Sequence, residues 1–293
     1  MPELPEVETV RSGLQRLLPG RRISDVDFNW PKSFPNAPED VKAFLIAAKV
    51  TEVKRRAKVL IIDLDSEYSL VTHLKMTGQL VFRSQNEHFG AGHPNDSLVG
   101  RLPDKSTRVT LTFKDGSYLF FNDQRKFGWM RLLPTIEVMN LDFFKKVGPE
   151  PLSADFNWQV MKERMLRRSK SNIKSVLLDQ TVLAGVGNIY ADESLWGAKI
   201  HPLTPVKDIR PAQFKRLYNE LIFVLKLAIE KGGSTDRNYV NAEGKRGSYM
   251  DFARVFRREG QSCPRCGTII IKTRVAGRGT HLCPKCQKPS SYQ

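Results

Sequence analysis

The 293-residue chain has no apolar run near the roughly 18 residues that a membrane-spanning helix needs, and no apolar leader at its start. Both absences lead to the expectation of a soluble protein of the cytoplasm. Cysteine is absent before Cys263, which excludes a disulfide-stapled secreted scaffold. No internal repeat is present, which sets solenoids and propellers aside. Acidic residues are scarce, with 31 Asp and Glu against 47 Lys and Arg, for a net charge of +16 and a pI of about 9.8. Such a field favours a polyanionic partner, most simply nucleic acid. Ribosome-associated and membrane-surface proteins carry similar charge, so charge alone does not choose among them. The basic residues recur along the chain, at Arg55-Arg56, Arg125-Lys126, Arg164 to Lys174 and Lys245 to Arg258. That distribution suits a folded cleft, not a disordered basic arm.

The most distinctive chemistry lies at the two ends. The four cysteines form two pairs, Cys263-Pro-Arg-Cys266 and Cys283-Pro-Lys-Cys286, with sixteen residues between them. That spacing is expected of a four-thiolate zinc site, each pair delivering two sulfurs to a tetrahedral ion. Two disulfides are the alternative, and a reducing compartment argues against them. A complete thiolate set leaves no open position, so one structural Zn2+ is expected, and no organic cofactor. At the other end stands Met1-Pro2-Glu3-Leu4-Pro5-Glu6. Removal of Met1 makes Pro2 a secondary amine beside a carboxylate. An α-amino group titrates near 8 and lysine near 10.4, so roughly a quarter of such amines are neutral at pH 7.5. A neutral amine attacks an aldehyde, and a secondary one gives a cationic iminium, with Glu3 adjacent to move protons. An ordinary solvated N-terminus is the competing reading of this stretch.

Residues 6 to 18 read as a helix: Pro5 suits its first position, Val7, Val10, Leu14, Leu17 and Leu18 form one stripe, and Pro19-Gly20 stops it. From about Arg22 to Leu133 the pattern has period two. Strands are predicted at Val50 to Arg56, Val59 to Leu64, Tyr68 to His73, Gln79 to Arg83 and Val109 to Phe113. Lys114-Asp115-Gly116-Ser117 reads as a hairpin turn into Tyr118 to Asn122. Such short strands indicate an antiparallel sandwich or barrel. Ser84 to Lys105, polar and rich in Gly, Asn and Pro, reads as a mobile surface loop. Gly148-Pro149-Glu150-Pro151 reads as a domain linker. Helices are predicted over Asp155 to Arg167, Ile173 to Asp179, Ile189 to Trp196 and Pro211 to Lys231. Between the second and third, Leu183-Ala184-Gly185-Val186-Gly187-Asn188 allows close backbone approach before a helix start with free amides. That suits a phosphate clamp as well as a tight interhelical connection. From Gly232 to about Gly260 no firm element is predicted.

Seven segments carry a family resemblance: Pro2-Glu3-Leu4-Pro5-Glu6-Val7-Glu8-Thr9, Arg56-Ala57-Lys58, His73-Leu74-Lys75-Met76-Thr77-Gly78, Asp123-Gln124-Arg125-Lys126-Phe127-Gly128, Gly148-Pro149-Glu150-Pro151, Gly185-Val186-Gly187-Asn188-Ile189-Tyr190-Ala191 and Val275-Ala276-Gly277-Arg278-Gly279-Thr280. In this order they closely resemble the formamidopyrimidine-DNA glycosylases, bacterial enzymes of base-excision repair, over nearly the whole chain. The resemblance implies an α+β multidomain fold. Its parts are an N-terminal antiparallel β-sandwich catalytic domain with a leading helix over 1–134, a linker over 135–151, a helix–two-turn–helix domain with a lesion-capping loop over 152–260, and a four-cysteine zinc-finger hairpin over 261–288. It implies a bifunctional DNA glycosylase and AP lyase that excises oxidised purines (8-oxoguanine, formamidopyrimidines) from damaged double-stranded DNA. A monomer in the bacterial cytoplasm, associated with the nucleoid, is implied as well.

Under that resemblance Pro2 matches the nucleophile that attacks the sugar C1′, and Glu3 the proton-transfer carboxylate. Lys58 matches a phosphate contact beside the lesion, a solvated turn lysine being the plainer reading. Glu6 matches a second site carboxylate or stabilises the helix start. Met76, Arg125 and Phe127 match the set that fills the gap left by an extruded nucleotide; Met76 and Phe127 as core residues of a sheet are the plainer alternative. Asn188 and Arg278 match phosphate grips, and Lys245 the lesion-capping loop. His73 either faces the DNA backbone or is a buried, hydrogen-bonded histidine. The chain departs from the family at Lys126, where a second arginine is usual, keeping charge but losing bidentate geometry. It departs also at Phe256-Arg257, where Tyr-Gly is commoner, and in the length of Ser84 to Lys105. Two rivals stand beside this reading. One is the endonuclease VIII branch, which acts on oxidised pyrimidines, usually has Gly where this chain has Leu4, and lacks the Arg-x-Phe pattern. The other is a non-catalytic protein that keeps the fold to sense damaged DNA.

Overall fold

The computed structural model describes residues 1–93, 95–234 and 248–289. It divides into two compact units, Met1–Lys145 with Lys231–Ser248, and Lys146–Glu230 with Tyr249–Gln293.

The first unit opens with helix α1 (Leu4–Leu17), whose N-cap is Glu3. The Glu3 carboxylate accepts the Glu6 amide and the Glu6 carboxylate accepts the Glu3 amide, a reciprocal box that satisfies two otherwise orphaned donors. This box starts the helix ahead of residue 6, where Pro5 alone had placed its beginning. A glycine at position 13 leaves room for a ring: any Cβ there would overlap Phe89.

Strands β1 (Ile23–Phe28), β2 (Val50–Arg56), β3 (Val59–Leu64), β4 (Tyr68–His73), β5 (Gly78–Arg83), β6 (His88–Gly92), β7 (Thr107–Phe113), β8 (Tyr118–Asp123) and β9 (Trp129–Pro134) form two antiparallel sheets, ordered β2-β3-β4-β9 and β1-β7-β8-β5-β6. Alternation sends Val53, Leu60, Ile62 and Leu70 of one sheet against Leu80, Phe82, Val109, Leu111 and Phe121 of the other. Val7, Val10 and Leu14 of α1 complete this sandwich core.

Among its described residues, the stretch from Ser84 to Lys105, expected as a mobile surface loop, contains a paired strand and a short 3-10 turn. β6 pairs with β5, placing Phe89 opposite Phe82. Leu98 and Leu102 cover the outer face of the sheet at Val81 and Phe120. Asp104 accepts the Ser97 hydroxyl at 2.6 Å and the Ser106 amide at 2.7 Å. The glycines and polar residues that suggested mobility serve pairing and turn hydrogen bonds instead.

Short helices α2 (Pro38–Asp40), α3 (Thr135–Val138) and α4 (Asp142–Lys146) complete the connections. The second unit holds α5 (Trp158–Leu166), α6 (Ile173–Leu178), α7 (Asn188–Ala198), α8 (Pro211–Glu230) and a hairpin of β10 (Ile271–Val275) and β11 (Arg278–Leu282). Asn157 caps α5 through the Gln159 and Val160 amides, later than the Asp155 start expected, and Asn172 caps α6. The α8 stripe of Phe214, Leu217, Leu221, Val224, Leu225 and Ala228 is buried as its spacing requires. Gly148-Pro149-Glu150-Pro151 is docked: the Gly148 amide donates to Gln180 O at 2.8 Å, and the Ala184 amide to Pro149 O at 3.0 Å. No helix among the described residues is long and apolar enough to cross a membrane.

Candidate active site and nucleic-acid interface

In the first unit, strand register carries three connections to one end of the four-stranded sheet. Val59 pairs with Arg56 and His73, and His73 with Trp129. The β2–β3 turn with Lys58, the β4–β5 loop with Met76 and the β8–β9 loop with Arg125 and Phe127 therefore share that end. Ala57 takes the left-handed conformation at φ +54°. Arg55 braces the turn by donating to Ala57 O at 2.7 Å and to Glu8 of α1 at 2.8 Å. Lys58 is 5% exposed, so it is not a solvated turn lysine.

Pro2, Glu3 and Glu6 are all buried. Glu6 uses both oxygens: one accepts the Glu3 amide, the other the Ser234 amide, each at 2.7 Å. The helix-start role of Glu6 is thus directly visible. Lys245 lies outside the described residues.

Two residues that sequence reasoning passed over as mere motif letters organise the loops. Asp123 is fully buried and accepts the Thr77 hydroxyl, the Phe127 amide at 2.8 Å and the Gly128 amide at 2.7 Å. Thr77 in turn accepts the Arg125 amide at 3.0 Å. Phe127, held this way, is 53% exposed, and the Arg125 guanidinium lies 4.9 Å from its ring centre. Phe127 is therefore no core residue, and Met76 is half-buried. Lys126 takes φ +58° and sets its ammonium 4.3 Å from the Trp30 ring centre, a cation–π contact.

His73 accepts the Lys75 amide on Nδ1 at 3.0 Å, which leaves the proton of the neutral ring on Nε2. Burial, reinforced by the Lys75 and Lys58 charges, lowers its pKa to about 3. His73 is therefore half-buried and hydrogen-bonded on one nitrogen, with an uncharged donor on its far nitrogen.

In the second unit, Gln180 shapes the turns ahead of α7 by accepting the Gly185 amide at 2.9 Å and donating to Val186 O at 2.8 Å. Asn188 heads α7 and donates to Gly279 O at 3.0 Å. Its Oδ1 is buried without a hydrogen-bond partner among the described residues. The β10–β11 turn has φ +49° at Ala276 and +72° at Gly277, the two-residue turn that matches strand twist, and it leaves Arg278 exposed. The base of this hairpin is fixed by a buried ionic network. Lys174 of α6 donates to Asp192 of α7 and to Thr280, each at 2.6 Å, and the other Asp192 oxygen accepts the His281 amide at 2.9 Å. Glu193, also fully buried, accepts the successive amides of Arg254, Val255 and Phe256. A cluster of lysine and carboxylates inside largely apolar helices was the available signal, since buried charge requires partners.

The cysteine sulfurs all lie within 4.8 Å of one another. Cys266 Sγ is 3.5 Å from both Cys283 Sγ and Cys286 Sγ. These separations are too long for disulfides and close to the edge of a zinc–thiolate tetrahedron, about 3.8 Å for bonds of about 2.3 Å. Hydrogen bonds from Thr268 pull the Cys266 thiol down, whereas burial pushes Cys283 up. A structural zinc fits this donor set. Gln287 locks the second knuckle to the end of α7, accepting the Cys283 amide and donating to Ile200 O, each at 3.0 Å.

Three family models match in succession: the formamidopyrimidine-DNA glycosylase N-terminal domain over residues 1–130, the H2TH domain of the same enzymes over 147–239, and a zinc finger found in FPG and IleRS over 260–289. The chain is 42% identical to a formamidopyrimidine-DNA glycosylase of Streptococcus pneumoniae over 290 residues, covering 98% of this chain and 99% of the relative. It is 43% identical to one from Streptococcus pyogenes over 289 residues, with the same coverage of 98% and 99%. A Lactococcus lactis FPG variant crystallised with Fapy-dG-containing DNA superposes with a TM-score of 0.85 at 36% identity, over 98% of this chain and 100% of that one. The wild-type Lactococcus lactis protein, crystallised with DNA containing an oxidized pyrimidine, gives a TM-score of 0.84 at 36% identity and the same coverage of 98% and 100%. With this ordering of loops, hairpin and thiolates, and with these relatives along its full length, the chain belongs to the formamidopyrimidine-DNA glycosylase family.

Proposed function

We propose that the chain is a bifunctional DNA glycosylase and AP lyase of base-excision repair that removes oxidised purines from duplex DNA. The observation that carries this reading is the start of α1. Pro2 precedes the N-cap, so its nitrogen takes no part in the helix, while Glu3 and Glu6 hold the chain there through each other's amides. Once Met1 is removed, the Pro2 amine attacks C1′ of the damaged nucleotide. The base departs with the bonding electron pair and takes a proton, and opening of the sugar ring leaves an iminium on the proline nitrogen. That cation acidifies C2′: loss of a proton there expels the 3′ phosphate, and a second elimination expels the 5′ phosphate. Glu3 relays the protons.

Lys58 and the neutral His73 donate to phosphates near the lesion. Met76, Arg125 and Phe127 occupy the space left by the extruded nucleotide, with the exposed Phe127 ring replacing lost stacking. Asn188 and Arg278 grip phosphates, and Lys245 belongs to the lesion-capping loop. The zinc centre steadies the hairpin that carries Arg278. The protein works as a monomer in the bacterial cytoplasm, on nucleoid DNA. These roles are supported by relatives bearing this family name and by Lactococcus lactis structures that hold damaged DNA.

Borohydride trapping on an 8-oxoguanine:cytosine duplex, with mass analysis of the N-terminal peptide, tests the proposal. A covalent adduct on Pro2 is expected, and Pro2→Gly is expected to abolish it while lesion binding persists. Binding without any adduct would leave a damage sensor. A second substrate class, oxidised pyrimidines, is favoured by the Lactococcus lactis relative crystallised on such DNA. Turnover on thymine-glycol duplexes, compared with 8-oxoguanine:cytosine, ranks the two.

A further inference from the structure

Trp196, near the end of α7, is 5% exposed and packs with Val255, Ile270, Cys263 and Cys283. Its indole Nε1 is buried and has no hydrogen-bond partner among the described residues. A buried N–H is normally paired, so an orphan requires an explanation. Its nearest chemistry is the metal cluster, since the ring packs with Cys263 and Cys283 in one buried group. A neutral thiol is a weak acceptor, whereas a metal-bound thiolate is a strong one.

The ring is also held by charge. The Arg265 guanidinium lies 3.8 Å from the Trp196 ring centre and that of Arg254 lies 4.7 Å away. Arg265 further donates to Trp196 O at 3.0 Å and to Gly197 O at 3.3 Å, at the carbonyl end of α7. Arg254 reaches Glu193 and Glu220 at 3.3 and 3.0 Å. Cations over the ring face draw π-density away from the indole and strengthen its N–H as a donor. Both the position and the polarity of Trp196 thus suit a ligand-supporting contact.

We propose that the Trp196 indole N–H hydrogen-bonds the Cys263 thiolate of the zinc-loaded centre, making Trp196 the positioning residue that couples metal occupancy to α7. The proposal rests on the four-thiolate centre and is independent of the DNA chemistry. Groups that support metal ligands in this way change metal affinity by roughly 10- to 100-fold when removed. In the full-length protein, Trp196→Phe keeps an aromatic ring and deletes the donor. Zinc affinity, measured by competition with a chromogenic chelator, is expected to fall about 10- to 100-fold. Unchanged affinity overturns the proposal. Ile270→Val trims the same apolar cluster without touching the N–H, and an equal loss in that variant would assign the effect to packing and overturn it too. In protein loaded with 113Cd, a through-bond correlation is expected between the metal and one indole proton, vanishing in Trp196→Phe. Its absence in fully loaded wild-type protein refutes the contact. Wild-type protein that takes up no cadmium would instead overturn the metal assignment itself, and this proposal with it.

Discussion

Asp123 and Thr77 meet side chain to side chain across the ends of β8 and β5, and that hydrogen bond ties together two loops of separate origin. Asp123 also receives the Phe127 and Gly128 amides, and Thr77 the Arg125 amide. Thr77→Val preserves shape but strips a donor from a buried carboxylate and an acceptor from the Arg125 amide. A loss of about 1–3 kcal/mol is expected in urea denaturation. Excision should fall as well, because the Arg125 amide loses one of its acceptors and the Asp123 carboxylate that holds the Phe127 amide loses a donor.

His73 gives a pH signature. Its folded pKa of about 3 lies below the usual histidine value, so the unfolded chain binds more protons between the two. Its contribution is present above the unfolded pKa and is lost as pH falls. From pH 6.5 to 5 wild-type protein should lose about 1.6 kcal/mol relative to His73→Gln, with a slope that rises from about 0.7 to about 1.4 kcal/mol per pH unit as the unfolded histidine fills with protons. Parallel denaturation curves for the two proteins would refute this.

Arg257 occupies the left-handed region at φ +57°, which explains why glycine is the commoner residue there. Arg257→Gly should raise stability by roughly 0.5–1 kcal/mol, visible as a higher melting temperature. A drop would show that the arginine side chain outweighs the backbone strain.

Arg278, exposed at the head of β11 beside a turn of fixed geometry, should act as a point charge. Arg278→Ala is expected to weaken binding to damaged and intact duplexes alike. It should also reduce the slope of log K against log salt by about 1. A change confined to lesion preference would contradict a phosphate contact.

The strands from Val50 to Arg83 were legible to within a residue, because each carries period-two alternation between clear turns. The antiparallel strands, the helical stripe of α8 and the thiolate cluster followed from pattern and spacing, whereas pattern left sandwich and barrel open and the family resemblance pointed to the sandwich. β6 was not legible: His88-Phe89-Gly90-Ala91-Gly92 has little strand propensity and is held by Phe89 entering the gap at Gly13 of a helix. The start of α1 was placed late because the Glu3–Glu6 box is reciprocal and neither residue reveals it singly. Asp123, Gln180 and Glu193 were passed over for a different reason. A buried carboxylate or amide is identified by the groups it satisfies, and Glu193 finds the Arg254 amide 61 positions away.

Glu6 places a time order on the making of this protein. Its bond to the Glu3 amide spans three positions, whereas its bond to the Ser234 amide spans 228. At translation speeds of about 5–20 residues per second, roughly 10 to 45 seconds separate emergence of the two partners from the ribosome. During that interval α1 can cap itself, but the Ser234 amide is not yet available to Glu6. The amino-terminal end of the chain, where the proposed nucleophile lies, is therefore completed late in synthesis, after Ser234 has emerged.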